Sequence, residues 1–75
     1  MRISDLQSKD VINQGDGRNI GRIIDMDILE DGTINYFIVE PKKIIKKLNI
    51  YNSETNISMK QIVKIGEDVI LVDLR

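Results

Sequence analysis

Two strand-like blocks, one near the start of the chain and one at its end, constrain the fold more than any other feature. The first runs from Gly17 to Asp27 and the second from Ile62 to Asp73. Both are rich in β-branched side chains and contain a glycine where a strand can bend. Because strands from both ends of so short a chain have to share one core, the pattern predicts a small closed β-barrel.

The length and the missing residue types narrow the possible functions. The chain has 75 residues, the size of one domain with a modest core, so we expect a single domain over residues 1–75. Cysteine and histidine are both absent, which removes the commonest zinc ligands and the usual general base near neutral pH. The start has no apolar run typical of a secretory signal, and no stretch is apolar enough to span a membrane. We expect a cytoplasmic protein with no integral membrane insertion, cofactor or metal.

Charge is balanced overall but unevenly placed along the chain. The formal net charge is -1, too small to attract a polyanion through the field of the whole molecule. Residues 1–40 carry four basic and eight acidic side chains, whereas residues 41–75 carry seven basic and four acidic ones. The charge is therefore polarised along the chain, with the acidic excess in the first part and the basic excess in the second.

The hydrophobic pattern predicts about six short strands and almost no helix. One helical turn is expected over Ser4–Gln7, with Ser4 as its N-cap, and another short helical turn over Met59–Ile62. The strands are expected over Val11–Asn13, Asn19–Leu29, Thr33–Glu40, Asn56–Met59, Val63–Ile65 and Val69–Leu74.

Three local features shape these strands. Ile24 shares one side of its strand with Met26 and Ile28, but Ile23 breaks the alternation, which predicts a bulge or strong bend over residues 21–24. Residues 30–32 read Glu-Asp-Gly, and Asp-Gly favours a primed hairpin turn. Pro41 has no amide hydrogen and is expected to end the returning strand.

Taken together, these blocks resemble the PRC-barrel domain, and more narrowly the short stand-alone members from spore-forming bacteria described as sporulation proteins. The resemblance is carried by residues 1–6, 9–13, 16–17, 20–23, 25 and 65–73. It implies a six-stranded β-barrel that acts as an adaptor without catalytic residues; some relatives act in RNA processing or ribosome maturation. Ser8, the Ser58-Met59 pair and the lysine-rich stretch 42–53 depart from the family pattern.

One basic and apolar segment is the main candidate for binding a partner. It consists of Lys42, Lys43, Ile44, Ile45, Lys46, Lys47 and Leu48. Four ammonium groups in six positions suit phosphates, nucleic acid or an anionic membrane surface. The alternative is a solubilising loop whose lysines guard a sheet edge against aggregation. Its apolar side chains either close one end of the barrel or form an exposed patch for a partner.

Four acidic residues form a second candidate. Asp25 and Asp27 lie on one side of the long strand, with Glu30 and Asp31 in the turn that follows, and their oxygens suit Ca²⁺ or Mg²⁺. The spacing lacks the later ligands of the calcium-binding loop. The alternative interpretation is a solvated strand face followed by turn residues.

These observations predict a non-enzymatic protein-interaction module. Its contact surface is expected to be an unpaired barrel edge or the segment 42–52, and the same edge suits a homodimer. The alternative is an RNA- or ribosome-associated binding module, which predicts salt-sensitive RNA binding through the four lysines.

Overall fold

The structure, a computed structural model, describes residues 1–41 and 54–74 and is all-β apart from two helical turns. The elements in chain order are helix α1 (Ile3–Gln7), β1 (Asp10–Asn13), β2 (Asn19–Ile28), β3 (Ile34–Glu40), β4 (Thr55–Ser58), a 3-10 helix (Met59–Gln61), β5 (Ile62–Ile65) and β6 (Val69–Val72). The predicted six strands and minimal helix are confirmed, and β3 ends at the residue before Pro41 as expected.

The six strands form one sheet in the order β4-β3-β2-β1-β6-β5. Neighbouring strands are antiparallel except β1 and β6, which run parallel and pair Val11 with Ile70. No ladder joins β4 to β5 in the described part of the chain, so these two strands are the ends of the sheet. The 3-10 helix connects them directly along the chain.

A single apolar cluster lies inside the curve of the sheet, and five of the six strands contribute a fully buried residue to it. Its members are Val11, Ile23, Phe37, Val39, Ile57, Ile70 and Val72. Each is at most 4% exposed. Strand β5 contributes only the partly buried Ile62. It therefore lies at the rim of the core.

Strand β2 changes partners after its first three residues. Gly21 pairs with Val11 of β1, whereas Arg22 pairs with Glu40 of β3. The register between β2 and β3 then shifts between Ile23 and Asp25, so the predicted bulge is confirmed. It points Ile23 into the core and leaves Ile24 40% exposed.

Two predicted turn details are wrong. Helix α1 starts at Ile3 with Arg2 rather than Ser4 as its N-cap residue, because the Arg2 amide donates to Asp5 Oδ2 at 2.7 Å. In the β2–β3 turn the Gly32 amide donates to the Leu29 carbonyl, so the turn is centred on residues 30 and 31 rather than on Asp-Gly. Gly32 then takes the positive φ of 92°, as in a three-residue hairpin loop.

Candidate functional site

The outer edge of β5 is the candidate interaction site. Strand β5 pairs with β6 on one side, and on its other side no strand of residues 1–41 or 54–74 pairs with it. The exposed fractions of its side chains are 50% for Val63 and 37% for Ile65, and Met59 just before it is 46% exposed. Lys64 lies between the two exposed apolar residues and is exposed as well. Apolar side chains are thus presented to solvent at a sheet end.

Strand β6 holds this edge in place. Ile70 and Val72 of β6 are each 1% exposed and lie in the core, so the hairpin is anchored by its inner strand. The Gly66 amide closes the hairpin by donating to the Val69 carbonyl at 2.7 Å. The turn beyond it is tied to the N-terminal region, because Lys9 Nζ donates to the Glu67 carbonyl at 2.5 Å.

The other end of β5 is fixed by the 3-10 helix. The Gln61 side chain accepts a hydrogen bond from the Ser58 amide at 2.9 Å, which satisfies a donor at the start of that helix. The Gln61 carbonyl accepts from the Asp73 amide at 2.8 Å. Both ends of a four-residue edge strand are therefore held, and its geometry is preorganised.

The hydrogen-bond pattern of the hairpin decides which backbone groups face outward. Antiparallel pairs alternate between hydrogen-bonded and non-hydrogen-bonded positions. Gly66 and Val69 form a hydrogen-bonded pair, so the next pair, Ile65 and Ile70, does not exchange bonds. The amide and carbonyl of Ile65 consequently point away from β6, toward the side of β5 on which no described strand pairs.

The segment favoured by the sequence as a binding site lies outside the described residues. This applies to Lys42, Lys43, Ile44, Ile45, Lys46, Lys47 and Leu48 alike. Binding through this segment remains a prediction.

The acidic side chains of the second candidate bond to near neighbours in sequence or across the hairpin. Asp25 Oδ1 accepts from the Met26 amide at 2.8 Å, and Asp27 Oδ2 accepts from Asn35 Nδ2 at 3.0 Å. Hydrogen bonds from the Thr33 hydroxyl and amide lower the pKa of the exposed Asp31. Within residues 1–41 and 54–74, no three acidic residues come together as metal ligands would.

Comparison with known proteins identifies the family. Residues 1–75 match the PRC-barrel domain. The chain is also similar to the probable sporulation protein YlmC of Bacillus subtilis (strain 168), with 43% identity over 75 residues that cover 96% of this chain and 90% of that protein. This chain belongs to the PRC-barrel family. No helix in the described part of this PRC-barrel protein is long and apolar enough to cross a membrane.

The edge of this PRC-barrel domain combines backbone hydrogen-bonding groups with exposed apolar side chains. Within the described residues, no polar or charged side chain is buried and no buried side-chain polar atom lacks a hydrogen-bond partner. The outward amide and carbonyl of Ile65, on a strand that exposes two apolar side chains, suit the addition of a strand from a partner.

Sequence reasoning predicted an unpaired edge without identifying the strand. Strand order depends on the pairing of β1 with β6, whose residues are separated by almost the whole chain. One local signal was present: Val63, Lys64 and Ile65 form a short run that ends at a glycine and two acidic residues. Short strands that carry a lysine are common at sheet edges.

Proposed function

We propose that this PRC-barrel protein is a non-catalytic protein-interaction module, linked to sporulation and acting in the cytoplasm, that recruits its partner through the outer edge of β5. The observation that carries the proposal is the outward amide and carbonyl of Ile65 on an edge strand that exposes Val63 and Ile65. The link to sporulation is supported by the name of the similar Bacillus subtilis protein.

Strand addition explains how so small a surface could bind selectively. Main-chain hydrogen bonds to the edge provide affinity, and the alternate side chains select the sequence of the added strand. Val63 and Ile65 offer apolar contacts, whereas Lys64 between them favours an acidic or neutral residue opposite it. The bulge at Val63 limits how far a partner strand can extend along β5.

The proposal is tested by capture from sporulating cells with tagged protein, with and without nuclease. We expect a partner protein that survives nuclease and is lost with Ile65→Pro. Proline removes the outward amide without removing a bond of the β5–β6 ladder. Ile65→Val is the matched control, since it keeps both the amide and an apolar side chain.

Two outcomes would reject this function. Retention of the same partner by Ile65→Pro would show that the β5 edge is not the binding surface. Loss of all bound protein after nuclease treatment, together with loss of RNA when the four lysines at 42, 43, 46 and 47 become glutamate, would favour the RNA-binding alternative.

A further inference from the structure

Besides the outer side of β5, the described part of the sheet has two further stretches of unpaired strand: the outer side of β4, whose exposed side chains at Thr55 and Asn56 are polar, and one part of β2. Beyond Arg22, the side of β2 opposite β3 has no strand partner. There the Met26 amide is bonded by the side chain of Asp25, and Asp27 adds a second carboxylate close by. Charged side chains and a satisfied donor protect an edge against strand addition. No side chain of the described residues bonds the Ile65 amide, so β5 is less protected than this part of β2.

Charge along the β5 hairpin is ordered from basic to acidic. Lys60 and Lys64 come first, and Glu67 and Asp68 follow in the turn, all four of them exposed. A second β5 running antiparallel would place its acidic end beside the basic end of the first. A parallel arrangement would place like charges together. The charges of the edge therefore match those of an antiparallel copy of itself.

Two-fold symmetry leaves few registers for such a pair. When two identical antiparallel strands are related by a two-fold axis, one residue has to lie opposite itself. A pair centred on Lys64 sets ammonium against ammonium, which is unfavourable. A pair centred on Val63 places the bulge, where the β5 ladder is irregular, at the middle of the interface.

The register centred on Ile65 avoids both difficulties. Its outward amide and carbonyl exchange two hydrogen bonds with those of the second copy, and the two Ile65 side chains lie side by side. Ile65 pairs with the buried Ile70, so this contact covers the rim of the core. Lys64 then faces Gly66 of the second copy, which has no side chain to obstruct it.

We propose that the strand which β5 recruits is the β5 of a second copy, paired antiparallel about Ile65. This inference rests on the proposed function and names its partner. The interface is short, so the dimer is weak and forms in a concentration-dependent manner. It joins the two sheets into one continuous sheet across the two-fold axis.

The natural sequence contains no cysteine, so a single introduced cysteine can form a disulfide only between chains. Residues opposite each other in a hydrogen-bonded antiparallel pair have Cα atoms about 5.5 Å apart, within the range that a disulfide spans. We expect Ile65→Cys to be trapped as a covalent dimer under mild oxidation. Lys64→Cys is a control that would cross-link if the two strands paired about Lys64 instead. Ile28→Cys, at an exposed residue far from β5 in sequence, measures cross-linking by random collision.

The inference is supported if the fraction of covalent dimer is much higher for Ile65→Cys than for the other two variants. Equal cross-linking of all three variants, or preferential cross-linking of Lys64→Cys, overturns it. Sedimentation of the unmodified protein is the second measurement, and a monomer at every concentration also overturns it. A monomer that still loses a captured protein partner with Ile65→Pro would reject the dimer while leaving the proposed function intact.

Discussion

Gly21 lies directly against the backbone of Glu40. A Cβ built on Gly21 would come within 2.6 Å of the Glu40 carbonyl carbon and would overlap its oxygen, and Pro41 Cα would be 2.9 Å away. Gly21 also has a φ of 128°, a region that side chains with a Cβ rarely adopt. The place where β2 leaves β1 and joins β3 thus depends on a residue without a side chain.

We predict that Gly21→Ala destabilises the fold by at least about 2 kcal/mol, because the added methyl group forces two strands apart and strains the backbone. Gly32→Ala is the control: Gly32 has a φ of 92°, but nothing lies within 4 Å of its Cβ position. That variant should lose only about 1 kcal/mol. Urea unfolding measures both, and equal midpoints would show that the close approach to Glu40 does not matter.

The core position of Ile57 should be far more sensitive than an exposed isoleucine. Ile57 is 1% exposed, and Ile57→Ala is expected to cost about 2–5 kcal/mol through lost burial and a cavity. Ile28 on β2 is 57% exposed, so Ile28→Ala should cost less than about 1 kcal/mol. Thermal unfolding of the two variants measures both losses of stability. A comparable loss of stability in both variants would place Ile28 in a buried contact.

The β2–β3 turn should weaken in acid. Hydrogen bonds from Thr33, the hydroxyl first and then the amide, lower the pKa of Asp31 from its ordinary value of 3.8. A carboxyl group whose pKa is lower in the folded state than in the unfolded state stabilises the fold at pH values above the unfolded-state pKa. This contribution is lost as the pH falls through the folded-state pKa. The chemical shift of the Asp31 carboxyl carbon, recorded by NMR as a function of pH, measures this pKa directly.

Removing the hydroxyl group of Thr33 tests the cause of the lowered pKa of Asp31. Thr33→Val should raise the pKa of Asp31 toward 3.8, whereas Thr33→Ser, which keeps a hydroxyl, should leave it lowered. An unchanged pKa of Asp31 in Thr33→Val would mean that the backbone amide alone is responsible.

Proline substitutions test which amides of β5 face outward. Ile65→Pro should lower the free energy of unfolding by less than about 1 kcal/mol, because no bond of the ladder is lost. Lys64 pairs with Leu71 at the alternate position, so Lys64→Pro removes a ladder bond and should cost about 3 kcal/mol or more. If Ile65→Pro destabilised the protein more than Lys64→Pro, the amide of Lys64 rather than that of Ile65 would face outward.

Local features of the fold were predictable from the sequence, whereas long-range ones were not. The bulge followed from Ile23, which breaks the alternation of its strand, and the end of β3 followed from Pro41. The N-cap at Arg2 was missed because Ser4 is the better capping residue by type, yet it is the Asp5 side chain that bonds to the Arg2 amide.

The position of the candidate site depends on contacts that leave little trace in local sequence. That β5 ends the sheet follows from the parallel pairing of β1 with β6, which joins residues 10–13 to residues 69–72. The segment 42–48 was conspicuous because its composition is unusual. Val63 and Ile65 were inconspicuous because alternating apolar residues are also typical of a buried strand.

The central claim, that the outer edge of β5 is open to a partner strand, is tested most directly by amide hydrogen exchange at Ile65. In dilute protein the Ile65 amide should exchange much faster than that of Lys64, which is bonded within the ladder. Its protection should rise as the protein is concentrated and the edges pair. An Ile65 amide as protected as that of Lys64 at every concentration would contradict the account, because the chain itself would then cover this edge.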